Sequence, residues 1–165
     1  MKVKFIAIAI LGKNKRLALP SKSFWVHPQV NEEFLHSVKQ QYVVIDDKMI
    51  EELGGDIEGA YPLVLSDDPS YSNKNALVFK TLEDVLYYAT DAELEQVFIM
   101  GGVKTFQDTM PFVSDFHWFE IDVQEGDELT FPDFSNYQWN KVAEKRNKNT
   151  NWSFHHLIKA PQKLI

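Results

Sequence analysis

Two adjacent glycines, Gly101 and Gly102, stand between the apolar run Val97-Phe98-Ile99-Met100 and the segment Val103-Lys104-Thr105-Phe106. A glycine pair between a buried strand and a short helix lets the backbone approach a ligand closely and leaves amide groups exposed, which is the chemistry of holding a pyrophosphate. The same dipeptide also reads as a tight turn that needs unusual dihedrals, and a lone Gly-Gly does not separate the two. Asp46 and Asp47 form a second polar pair. With no third ligand close in sequence, they read as a helix cap beside a solvated neighbour, the alternative being a cation site. The basic trio Lys13, Lys15 and Arg16 reads as a solvated loop or as a surface facing an anion.

Other chemistries find little footing. His27, His36, His117, His155 and His156 make no His-x-x-x-His pair of the metalloprotease kind. His155 and His156 are neighbours in an expected strand, so they face opposite sides, and no metal is expected. There is no Gly-x-Ser-x-Gly elbow for a serine hydrolase. The chain has no cysteine, which removes disulfides, thiolate zinc sites and thiol nucleophiles and is compatible with a reducing cytoplasm. A net charge of −7 disfavours nucleic acid or an anionic membrane as partner.

The elements that must position these groups follow from apolar periodicity. The 165 residues, 44% of them apolar, suit one domain over 1–165 with a proper core. Met1 to Leu11 begins like a signal peptide, but its apolar run is short, β-branched and without a cleavage site, so it is read as a first strand. No segment is long enough to cross a bilayer. A polar turn follows at Gly12-Lys13-Asn14-Lys15-Arg16, then an ordered loop from Leu19 to Pro28 packed by Phe24 and Trp25. From Gln29, the spacing of Val30, Phe34 and Val38 predicts a helix, with Glu32, Glu33 and Lys39 outward. Tyr42 to Ile45 reads as a strand, Met49, Ile50 and Leu53 as a helical turn closed by Gly54-Gly55, and Tyr61 to Ser66 as a third strand. Leu77-Val78-Phe79 is a short strand, and Thr81 starts a helix whose inner face is Leu82, Val85, Leu86 and Ala89. After the glycine pair, a helix ends before Pro111 and a strand runs from Phe116 to Val123. An irregular link begins at Thr130. Trp139 to Lys145 and Trp152 to Lys159 then predict a hairpin around Asn147–Asn151. The result is an α/β fold: a mostly parallel central sheet, helices on both faces and a C-terminal antiparallel hairpin.

This order of pieces resembles dihydrofolate reductase. The likeness is clearest from Val97 to Phe134: the strand into Gly101-Gly102, the helix ending at Pro111, the strand Phe116 to Asp122, then Glu125-Gly126-Asp127 and Phe131-Pro132-Asp133, which match the family's Gly-Asp and Phe-Pro signatures. Phe5-Ile6-Ala7, Leu19-Pro20, Trp25, Phe34, Gly59 and Ser66 extend it over most of the chain. The resemblance implies a single-domain dihydrofolate-reductase-like fold and a cytoplasmic oxidoreductase of tetrahydrofolate biosynthesis and one-carbon metabolism. Its reaction is NADPH-dependent hydride transfer to dihydrofolate or a related pterin or heterocycle. The Gly-Gly turn is implied to hold the cofactor pyrophosphate, often through a strained cis bond.

Carried over residue by residue, the cofactor side comprises Gly101, Gly102, Val103, Lys104, Thr105, Lys48, Met49, Ser66 and Lys80, with Ser66 toward the adenosine end and Lys80 toward the 2′-phosphate. Asp47 stands where the family has an arginine, and Met49 where it has a threonine. An aspartate repels a phosphate that arginine would pair with. The substrate pocket is implied to comprise Ile6, Ala7, Trp25, Phe34 and Phe119, with Trp25 beside the substrate. The family's carboxylate, one helical turn before Phe34, is Val30 here. Its threonine partner is Phe119, and the arginine that meets the folate tail is Ala60. No catalytic residue is therefore assigned. These departures motivate the alternative of a non-catalytic relative that keeps the fold for ligand or protein binding.

Overall fold

The computed structural model describes residues 2–12, 16–18, 28–121, 128–130, 137–147 and 152–160. Trp25, the loop around it, Glu125-Gly126-Asp127 and Phe131-Pro132-Asp133 lie outside the described residues. The strand β1 (Lys4–Gly12) occupies the middle of the sheet because it is apolar on both sides; after Lys4 every residue in it is buried. It pairs in parallel with β6 (Gln96–Gly101) and β7 (Asp115–Ile121). Beyond β6 come β3 (Tyr42–Asp46), β4 (Tyr61–Leu65) and β5 (Leu77–Phe79), also parallel. Beyond β7 the hairpin of β10 (Trp152–Lys159) and β9 (Trp139–Asn147) adds antiparallel strands, giving the order β5-β4-β3-β6-β1-β7-β10-β9.

Strand alternation sorts the apolar side chains into two layers. Ala7, Ala9, Val44, Val97, Ile99 and Phe116 meet Val85 and Ala89 of α3 (Leu82–Asp91) and Phe106 of α4 (Val103–Thr109). Ile6, Ile8, Ile10, Phe98, Met100 and Phe119 meet Val30, Phe34 and Val38 below and within α1 (Pro28–Ser37), together with Ile50 of α2 (Asp47–Glu52). Each fully buried aliphatic or aromatic side chain of these layers contributes about 1.5–3 kcal/mol relative to exposure. Helices therefore cover both faces, as the apolar spacing predicts.

Local signals set the helix starts. Pro28 opens α1, where its missing N–H costs nothing. Thr81 caps α3 by accepting from the Asp84 N–H at 3.2 Å. Gly54 and Gly55, both at positive φ, carry the chain out of α2 as expected.

The structure corrects two segments. Arg16–Ala18, expected in or beyond a polar turn, forms a short strand β2 antiparallel to β1, and it pairs in turn with β8 (Glu128–Thr130), just ahead of the expected irregular link. Three-residue strands of this kind are made by their pairing partners and carry almost no local pattern.

The first residue of β7 is polar and buried. Asp115 is 2% exposed and accepts from Ser114 Oγ at 2.7 Å, with His156 Nε2 at 2.8 Å and Lys4 Nζ at 3.4 Å. Two residues along the same face, burial first and the charge of His156 second pull the His117 imidazole down to about 4, so it is neutral at pH 7.

Gly101 ends β6 at φ +127°, and a Cβ there would stand 2.9 Å from the ring of buried Phe106 and 3.0 Å from Met49 Sδ. Gly101→Ala is expected to destabilise the protein by about 2–4 kcal/mol, combining backbone strain with overpacking. Gly54→Ala, also at positive φ but with nothing within 4 Å, should lose only about 1 kcal/mol. Urea unfolding of the two variants against the parent chain checks the ranking.

Candidate cofactor groove and substrate pocket

The C-terminal ends of β3, β4 and β6 come together around two aspartates. Asp46 caps α2: one carboxylate oxygen accepts from the Met49 N–H at 2.7 Å, and the other accepts from the Gly102 N–H at 2.9 Å. The capping reading of Asp46 is thus the one the structure adopts. Asp47 is no solvated bystander, because it accepts from Ser66 Oγ at 2.7 Å and from the Lys48 N–H at 2.8 Å. The peptide between Gly101 and Gly102 is cis.

A groove of about 650 Å³ opens beside these groups, lined among others by Asp46, Asp47, Ser66, Lys80, Lys104 and Thr105. It is a dinucleotide-sized cleft at the carboxyl ends of parallel strands, the usual ligand position in an open α/β sheet. Its charge is unusual for a phosphate seat. Asp46, Asp47, Asp67, Glu83 and Asp108 line it against two cations, Lys80 and Lys104. Gly102 fits the cradle because a Cβ on it would meet Asp46 Oδ2 at 2.5 Å. The Gly102, Lys48 and Met49 amides already serve the chain's own carboxylates, whereas Val103, Lys104 and Thr105 begin α4 with N–H groups that have no acceptor inside the helix. Thr105 is buried, Val103 and Met49 are half-buried, and Lys48, Lys80 and Lys104 are exposed. In size, hydroxyls and lysines, the groove fits a nicotinamide dinucleotide.

On the α1 face, Ile6, Val30, Phe34 and Phe119 are all buried in one apolar cluster. The Phe34 and Phe119 rings meet edge to face with centroids 6.1 Å apart. Ala7 belongs to the opposite layer, so only its backbone borders this side. Glu32 and Glu33 are exposed, as helical geometry dictates, and leave Val30 apolar.

A polar group missed in the sequence sits between them. Asn31 is 5% exposed, and its amide nitrogen and carbonyl oxygen are buried without a hydrogen-bond partner among the described residues. A buried amide left unsatisfied costs about 1–3 kcal/mol, so the group is suited to a polar partner. Its position three residues before Phe34 was a legible signal, since i and i+3 share a helix face.

A dihydrofolate reductase family model matches residues 4–159. The chain is 25% identical over 96 residues to dihydrofolate reductase type 5 of Escherichia coli, a match covering 58% of this chain and 60% of that protein. It is 24% identical over 135 residues to dihydrofolate reductase type 3 of Salmonella typhimurium, covering 82% of each. A solved dihydrofolate reductase from Enterococcus faecalis, complexed with NADP(H) and RAB-propyl, superposes with a TM-score of 0.81 at 19% identity over 96% of this chain and 97% of that one. The sheet order, the glycine pair at the end of β6 and a family match running from the first strand to the last have one meaning: the chain belongs to the dihydrofolate reductase family.

Proposed function

We propose that the protein is an NADPH-dependent reductase that transfers hydride to dihydrofolate or a related pterin-like heterocycle, in the biosynthesis of tetrahydrofolate. The observation that carries the reading is the groove of about 650 Å³ at the ends of β3 and β4 and the start of α4, whose lining residue Asp46 holds the Gly102 N–H of the Gly101-Gly102 turn. When bound, the dinucleotide supplies the hydride. Lys80 and Lys104 are the groups suited to phosphate, and Val103 and Thr105 to close backbone contact; Ser66 Oγ donates to Asp47 and so suits a ribose hydroxyl, from which it can accept.

On the substrate side, Phe34, Phe119 and Ile6 offer apolar walls to a flat ring, and Asn31 offers one donor and one acceptor. A neutral amide orients the ring without protonating it, so the proton that accompanies hydride comes from solvent. Val30 removes the charge that would favour a protonated pterin, and Ala60 offers nothing to a folate tail carboxylate; both features favour a less charged substrate. The reading takes residues 1–165 as one domain in the cytoplasm. No described helix is long and apolar enough to cross a membrane.

NADPH at about 100 times its dissociation constant should stabilise the protein by about 2.7 kcal/mol, seen as a higher melting temperature. No shift at millimolar NADPH would overturn the reading. Asp47→Arg should tighten NADPH roughly ten-fold or more by replacing repulsion with a paired charge, and titration by fluorescence quenching checks it. Asn31→Leu should raise KM for dihydrofolate about ten-fold, from loss of about 1–2 kcal/mol of hydrogen bonding. NADPH affinity should be unchanged and folding stability equal or higher. Steady-state oxidation of NADPH with varied substrate separates these effects.

A further inference from the structure

At the end of the sheet away from the glycine pair, two strands bring three ligating side chains together. Asp115 and His117 lie two residues apart on β7 and so share a face, and His156 of β10 is the direct cross-strand partner of His117. The two imidazole rings meet at a centroid distance of 4.1 Å. One ligand atom from each of Asp115, His117 and His156 lies within 4.8 Å of the others.

The surroundings are those of a ligand set more than of a closed hydrogen-bond network. His117 Nε2 is buried without a hydrogen-bond partner among the described residues. Asp115 is held by Ser114 Oγ on Oδ1, which leaves Oδ2 toward His156. That arrangement, a ligating carboxylate oriented by a hydroxyl behind it, is what a metal site asks of its outer shell. His156 is only partly covered, its side chain being 24% exposed, so an ion has a way in. Lys4 Nζ, 3.4 Å from Asp115 Oδ2, is the group an ion would displace, and its side chain, 48% exposed, can swing to solvent.

We propose that Asp115, His117 and His156 bind a divalent transition-metal ion of zinc's class. Two imidazoles and one carboxylate suit such an ion, which takes nitrogen and oxygen at about 2.0–2.2 Å. Ligands at that radius stand about 3–4 Å apart, so Asp115 and His156, 2.8 Å apart, part slightly to admit the ion, the three ligand atoms lying within 4.8 Å of one another, and water completes the shell. The site is separate from the dinucleotide groove, and it does not depend on the reductase reading. The expectation of no metal rested on His155 and His156 facing opposite sides. They do, but His156 finds its partner on β7.

The test uses the full chain stripped with chelator and titrated with zinc sulfate by calorimetry, and with Co(II), whose visible ligand-field bands report nitrogen ligation. One equivalent should bind. His156→Gln should weaken zinc roughly ten-fold or more. Lys4→Met should tighten it, because a competing cation is gone. His36→Gln and His155→Gln, away from the cluster, should leave it unchanged. His117→Ala should abolish binding; if that variant does not fold, the partly exposed His156 and Lys4 positions still decide the matter. Absence of saturable zinc binding, or binding indifferent to His156→Gln, would overturn the proposal.

Discussion

One carboxylate ties the working end of the molecule together. Asp46 finishes β3, caps α2 through the Met49 N–H, and takes the Gly102 N–H just beyond β6. Two parallel neighbours are thereby fixed to each other at the point where their ladder is irregular, since Val44 pairs with Ile99 but Ile45 pairs with Gly101. The slip lets β6 gain a residue on β3 before the turn. Gly101 takes its positive φ there because it has no Cβ, and the space one would need is filled by Phe106 and Met49. A charge-assisted bond to a backbone N–H is stronger than a neutral one, and this carboxylate makes two contacts of that kind. The rim of the groove depends on them.

The same bond gives the groove its electrostatic character. A carboxylate that satisfies the Gly102 amide does from inside the chain what a bound phosphate oxygen does from outside. Asp47 repeats the arrangement one residue later with Ser66 and Lys48. At Lys48, Met49 and Gly102 the rim is therefore internally satisfied, and an anionic ligand meets two lysines in a field set by five acids. Binding in such a site draws more on close backbone contact and apolar surface than on net attraction, and it is sensitive to ionic strength through the exposed Lys80 and Lys104.

Much of this was legible in the sequence, for identifiable reasons. Long apolar runs such as Phe5 to Leu11 and Val97 to Met100 have only one comfortable place, the middle of a sheet covered on both faces. The period of Val30, Phe34 and Val38 fixed the buried stripe of α1, and the two end strands carried enough aromatic residues to declare themselves. What was not legible depended on pairing partners far along the chain. β2 and β8 exist because they find each other and β1. The bond from Gly102 to Asp46 joins residues 56 apart in sequence, and no local pattern announces it. Asn31 stands differently: its place on the Phe34 face is legible from the i, i+3 spacing, but its burial depends on packing that the local pattern does not show.

The two ends of the sheet show how one parallel core acquires different chemistry at each edge. At the carboxyl ends, strands β3, β4 and β6 stop together and release polar loops, so amides and short side chains gather around open space. At the amino ends of β1 and β7, Lys4, Asp115 and His117 already interrupt the apolar layer, and β10 runs antiparallel beside β7 and delivers His156 opposite His117. Antiparallel pairing sets side chains directly across from one another in register, so two imidazoles and the Asp115 carboxylate become neighbours without any loop to bring them. The hairpin added at the edge of the sheet completes the polar cluster that β7 begins.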